Sequence, residues 1–119
     1  MPAMEVGETL LVESPEAWRT WLERHHRAKR EIWLITFKKG SGGRSLDYDS
    51  TLNEAICFGW IDGMIKGVDA THYVARWSPR RPRSNWTDGN LARARQLYAA
   101  GRMTPAGIAS LPAGTLDAS

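Results

Sequence analysis

Apolar positions follow two rhythms along this chain. Trp18, Trp21, Leu22 and His25 recur at helical spacing. Ser14-Pro15-Glu16, just before them, supplies a cap hydroxyl, a proline for the first helical position and an acid for the first turn. The pattern predicts a helix that ends near Lys29 or Arg30, where cations suit the carboxyl end of the dipole. Thr9 to Val12 is a short apolar run and predicts an edge strand. From Glu31 to Lys38 the period changes to two: Trp33, Ile35 and Phe37 alternate with Ile32, Leu34 and Thr36. Both faces are largely apolar, which predicts a central strand covered on both sides.

Asp47 is placed to cap a helix over Tyr48 to Phe58, with Tyr48, Leu52, Ala55, Ile56 and Gly59 along its apolar stripe and Gly59 as its stop. Ile61 to Val68 and Thr71 to Ser78 predict two strands joined by a turn at Asp69-Ala70. On the second of these, Tyr73, Ala75 and Trp77 share one face, and His72, Val74, Arg76 and Ser78 the other. A last long helix is predicted from Thr87 or Asp88 to Ala100, with Leu91, Ala94, Leu97 and Tyr98 inward and Gly101 ending it. Thr104-Pro105 opens a short helix, and the tail from Pro112 to Ser119 is expected to fray. The order strand, helix, strand, helix, hairpin, helix gives an α+β fold. Its sheet is small and mainly antiparallel, about four strands, with three main helices packed on it.

At 119 residues the chain makes one domain, 1–119, and six tryptophans within a 42% hydrophobic composition suffice for a core. No apolar run approaches the ~18 residues that span a membrane. Met1 to Gly7 has no basic region followed by an apolar stretch, so no secretory signal is expected. Cys57 is the single cysteine, which rules out an intramolecular disulfide and a cysteine-based zinc cluster and suits a cytoplasmic protein. Adjacent His25 and His26 point to different sides of a helix and make a poor metal pair, so one is expected to pack and one to face solvent. No metal and no cofactor are expected. Gly40-Ser41-Gly42-Gly43 lacks the lysine-serine ending of a phosphate-binding loop and reads as a mobile connection.

The net charge of +3 is unevenly spread. From Arg76 to Arg102 seven arginines meet one acid, Asp88, so this third of the chain attracts anions. Pro79-Arg80-Arg81-Pro82-Arg83 is stiffened by its prolines and holds its arginines ready. Pairing the hairpin about Asp69-Ala70 sets Asp62 roughly opposite Ser78, beside Arg76 and near Arg80. Glu54, one turn before Cys57, faces the same rim, and Trp60 and Trp86 supply flat walls. The expected site is therefore Glu54, Trp60, Asp62, Arg76, Arg80, Arg81 and Trp86. Acids beside arginines suit a small anionic or zwitterionic ligand. Asp62 is expected to pair with an arginine between Arg76 and Arg81 and to border the principal pocket. Two alternatives differ in class. One is a nucleic-acid or partner-protein module using the arginine loop. The other is a small enzyme using Cys57, or Glu54 and Asp62 as acid and base. Cys57 sits in an apolar helix and is expected to be buried and slow to react. His72, the one histidine outside the first helix, lies at the far end of the hairpin from it.

Cys57-Phe58-Gly59-Trp60-Ile61-Asp62-Gly63, Pro79-Arg80-Arg81-Pro82-Arg83-Ser84-Asn85-Trp86 and Gly101-Arg102-Met103-Thr104-Pro105-Ala106-Gly107 occur in that order. With Trp33 to Lys39 ahead of them, they make the chain resemble the bacterial YdeI/OmpD-associated family, often labelled bacteriocin-protection proteins. The resemblance runs from about Leu10 to Ala109. It implies a cytoplasmic bacterial protein with a role in envelope stress and antimicrobial-peptide protection, and it implies no reaction. Many members continue into a carboxyl-terminal helical segment that this sequence does not show.

Overall fold

The computed structural model describes residues 5–117. The expectations for Met1 to Met4 and for the last two residues of the tail lie outside the described residues. In chain order the elements are β1 (Thr9–Leu10), α1 (Pro15–His25), β2 (Ile32–Phe37), α2 (Tyr48–Cys57), β3 (Trp60–Gly67), β4 (His72–Pro79), α3 (Asp88–Ala99) and α4 (Pro105–Ala109). The four strands form one mixed sheet in the order β1-β2-β4-β3, with β1 parallel to β2 and the other pairs antiparallel. The fold is α+β, as the periodicities predict.

Local chemistry sets the ends of these elements. Ser14 Oγ accepts from Ala17 N at 3.1 Å, and Asp47 Oδ2 accepts from Ser50 N at 3.0 Å. Thr87 and Thr104 cap α3 and α4 in the same way. Gly101, at φ +73°, closes α3: its N–H reaches Tyr98 O and that of Arg102 reaches Leu97 O. That is a left-handed cap in which two terminal carbonyls find donors. α1 stops at His25, short of the expected Lys29. His26 Nδ1 contacts the Leu22 carbonyl at 2.7 Å, and the chain continues only as a turn closed by Lys29 N on His25 O.

The core lies between the helices and the face of the sheet that carries Ile32, Leu34 and Trp77. Trp18 donates its indole N–H to Thr51 O at 3.0 Å, stacks on Trp21 and meets Trp77 edge-on, so α1, α2 and the sheet join through one ring. β2 is central, as predicted. On its other face Trp33 and Val74 are buried beside an ion pair between Glu31 and Arg76. Beyond α4 the chain turns back, Thr115 is buried, and its carbonyl accepts from Arg95 Nε at 3.1 Å.

One departure matters most for the site. From Ile65 to Gly67 the hairpin keeps one register: Ile65 with Ala75, Lys66 with Val74, Gly67 with Tyr73. Between Asp62 and Ile65 an extra residue enters β3, and Asp62 faces Trp77 instead of Ser78. This is a β-bulge at Gly63-Met64. A one-residue slip reverses the side-chain face. Asp62 therefore shares the helix-bearing face with Trp77, while Arg76 stays on the opposite one.

Candidate functional site

The seven expected site residues do not converge; they fall in five places. Glu54 is buried on α2 and forms a three-membered network. Arg19 Nη1 donates to it at 3.0 Å, and Arg102 Nη2 donates to both its oxygens at 3.1 and 2.9 Å. Arg19 also reaches the Arg102 carbonyl and lies 5.1 Å from the Phe58 ring centre. Burial works to lower the Arg19 pKa, but hydrogen bonds to Glu54 and Cys57 outweigh it and the pKa rises. This network ties α1, α2 and the segment after α3 together. Cys57 lies beside it, fully buried, and burial pushes its thiol pKa up. Its burial is as the sequence leads one to expect, and a neutral, enclosed thiol is a poor nucleophile.

Trp60 is 1% exposed and packs edge-on against Trp21, so it is core and not a pocket wall. Arg76 belongs to the opposite face of the sheet, where its Nε donates to Glu31 Oε1 at 2.6 Å. Hydrogen bonding from Arg76 holds the Glu31 carboxyl below its ordinary pKa. The expected pairing of Asp62 with an arginine is not formed. Its bonded partner is Tyr48, whose hydroxyl donates to Asp62 Oδ2 at 3.1 Å. The bulge is the reason, because it turns the carboxylate away from Arg76. His25 and His26 are both half-buried, against Trp21 and Phe58 respectively, where one solvated ring was expected.

Asp62 does border a cleft, of about 200 Å³, between the sheet and the start of α2. Its walls include Leu34, Phe37, Ile65, Tyr73 and Trp77, and Tyr48 tilts against Trp77 at 6.3 Å. Its only charged lining residues are acids, Asp47 and Asp62. Asp47 is committed to capping α2, which leaves Asp62 as the carboxylate with spare acceptor capacity. Burial, with Asp62 beside it, raises the Tyr48 pKa and keeps the phenol a donor. Tyr48 and Trp77 are the residues that the sequence assigns to packing alone. The shared face of Tyr73, Ala75 and Trp77 is the signal that marks this wall.

Arg80, Arg81 and Trp86 lie elsewhere, around a groove of about 500 Å³ between the arginine loop and Leu111-Pro112. The Arg80 guanidinium stacks over Trp86 at 3.5 Å, and its Nη1 donates to Ser84 Oγ and Asn85 O at 3.3 and 3.2 Å. Among the described residues no group of three or more His, Cys, Asp or Glu is placed to hold a metal, and no helix is long and apolar enough to cross a membrane.

Comparison with known proteins completes the description of the chain. No curated protein and no solved structure matches it. One family profile does, over residues 10–110, which takes in α1 to α4 and both the cleft and the arginine loop. The chain thus belongs to the family described as a domain of unknown function, DUF8412.

Proposed function

We propose that this domain binds a small organic molecule in the cleft between β4 and α2, with a planar apolar body against Trp77 and Tyr73 and a protonated amine on Asp62. One observation carries the reading: a half-buried carboxylate stands in an aromatic cleft, bonded to a phenol and to no cation. Carboxylates in such surroundings attract a charged donor, and cations also favour the faces of aromatic rings. At about 200 Å³ the cleft is smaller than the ~300–1,000 Å³ of drug-sized pockets, which suits a ligand of metabolite size. Of the expected anionic or zwitterionic ligands, the zwitterion fits by its cationic end. No arginine or lysine lines the cleft to receive an anion. A cytoplasmic location belongs to the same proposal. So does the role in stress protection, which rests on the YdeI/OmpD-associated resemblance alone.

The test is a titration of the full chain with an aromatic amine and its uncharged alcohol counterpart, such as tyramine and tyrosol, followed by amide and indole chemical shifts. The amine should bind more tightly and perturb Trp77 and Tyr48. A charge-assisted hydrogen bond contributes about 1.5–3 kcal/mol, so Asp62→Asn should weaken amine binding by at least ~10-fold. Asp62 is not in a buried ion pair, so the same substitution should cost only about 0–1 kcal/mol of stability. Equal binding of amine and alcohol, or of wild type and Asp62→Asn, would refute the assignment.

A further inference from the structure

The arginines between Arg76 and Arg102 divide sharply by what they touch. Arg76 is bonded to Glu31, Arg93 to Asp49 and Asn53, Arg102 to Glu54, and Arg95 to the Thr115 carbonyl. The remaining three, Arg80, Arg81 and Arg83, sit within one turn of chain, and none forms an ion pair with an acid among the described residues. Among the described residues, acids thus meet Arg76, Arg93 and Arg102 and a carbonyl meets Arg95, while the loop concentrates three arginines with no acid bonded to them.

The loop is also built, not merely charged. Ser84 N bonds to Arg81 O at 3.1 Å, closing a four-residue turn with Pro82 and Arg83 at its centre. Arg83 has φ +62°, a conformation that favours glycine at this turn position. Beneath the turn, the Arg80 side chain is wrapped by the loop itself: Trp86 covers its face, and Ser84 and Asn85 hold Nη1. Its Nε and Nη2 are enclosed and have no acceptor. Burial lowers the Arg80 pKa to about 10, with Asp62 only partly opposing the shift. A guanidinium enclosed with no carboxylate bonded to it is unfavourable unless an anion is drawn close to it. Arg81 and Arg83 are exposed above it, on the rim of a groove floored by the apolar side chains of Leu111 and Pro112.

We propose that this groove is a second binding site, separate from the Asp62 cleft, for the phosphate monoester of a small organic molecule. Arg81 and Arg83 supply the forked donors that fit a phosphate's oxygens. Arg80 adds its charge from below, and Leu111 and Pro112 carry the organic body. The cleft and the groove share no lining residue, and they select opposite charges.

The experiment titrates the full chain with inorganic phosphate, phenyl phosphate and a short single-stranded oligonucleotide, reading the Trp86 indole N–H, assigned through Trp86→Phe. Phenyl phosphate should give a saturable shift at Trp86 and bind more tightly than inorganic phosphate, because it also covers the apolar floor. The double variant Arg81→Gln/Arg83→Gln should weaken it at least ~10-fold, and Arg27→Gln, an exposed arginine on another part of the surface, should leave it unchanged. No saturable shift, or equal weakening by Arg27→Gln, would overturn the proposal. So would tighter oligonucleotide binding that falls steeply with salt, which would make the loop a nucleic-acid backbone contact. Binding at the Asp62 cleft is read at Trp77 with a different ligand, so either site can fail without the other.

Discussion

Replacing Glu54 tests whether burial or contact distance sets the worth of an ion pair in this domain. The Glu54 side chain is 7% exposed, while its partners Arg19 and Arg102 are 23% and 46% exposed. Removing one member of a fully buried pair costs about 3–5 kcal/mol, because the other charge is stranded. Here the buried member is the one removed, and the stranded groups differ. Arg102 swings easily to water. Arg19 is held against Phe58 and the Arg102 carbonyl and is less free to leave. Glu54→Gln, which keeps the volume, should therefore cost about 2–3 kcal/mol, below the full buried-pair figure. For a domain of this size, that corresponds to a fall in Tm of roughly 6–15 °C. Glu31→Gln is the matched control. Its contact with Arg76 is shorter, 2.6 Å, but the two side chains are 33% and 30% exposed, so its loss should cost about 0–1 kcal/mol. Urea denaturation of both variants, with unchanged m values, gives the comparison. Equal losses in the two would mean that burial does not govern these pairs, and the account of Glu54 as the tie between α1, α2 and the segment after α3 would fall.

Two further predictions concern the α4 junction and the hairpin turn. Gly107→Ala should destabilise by about 1–3 kcal/mol although alanine is the better helix former by ~1 kcal/mol, because the new Cβ would press on the backbone of Ile56 and Cys57. A melting temperature equal to or above the wild type's would show that α4 does not seat so closely on α2. Asp69 is held down to about 2 from 3.8, first by the Thr71 hydroxyl, then by backbone N–H groups of Thr71 and His72. Its folded pKa is depressed, so its contribution is present above pH 3.8 and disappears as pH falls through about 2. Carboxyl chemical shifts should show a midpoint near 2, and a midpoint at the ordinary aspartate value would refute the turn chemistry described here.

Most of the fold is legible because its signals are local. The caps at Ser14, Asp47 and Thr104, the stops at Gly59 and Gly101, and the two-residue period of Trp33 to Phe37 each act within a few residues. The early end of α1 depends on how His26 folds back on Leu22, which no spacing rule contains. The candidate site is less legible, because it depends on register. Setting Asp62 opposite Ser78 implies the register that holds from Gly67 to Ile65 and fails at the bulge. From there Asp62, Arg76 and Glu54 separate onto different surfaces, although they look convergent in sequence. The arginine loop suffers no such error: Arg80, Arg81 and Trp86 remain together because the chain between them is only a few residues long.

The bulge in β3 also bears on how such a site arises. If the same strand ran on without bulging, the pairing seen from Ile65 to Gly67 would set Asp62 against Ser78. The carboxylate would then stand among the arginine side chains of the far face, a member of an ordinary surface ion pair. The same slip would turn Trp60, which precedes the bulge in the same register, out of the core, whereas a strand one residue shorter at this point would pair regularly with Asp62 still opposite Trp77. The bulge is thus an insertion absorbed within two residues: it leaves both the core ring of Trp60 and the carboxylate of Asp62 on the helix-bearing face.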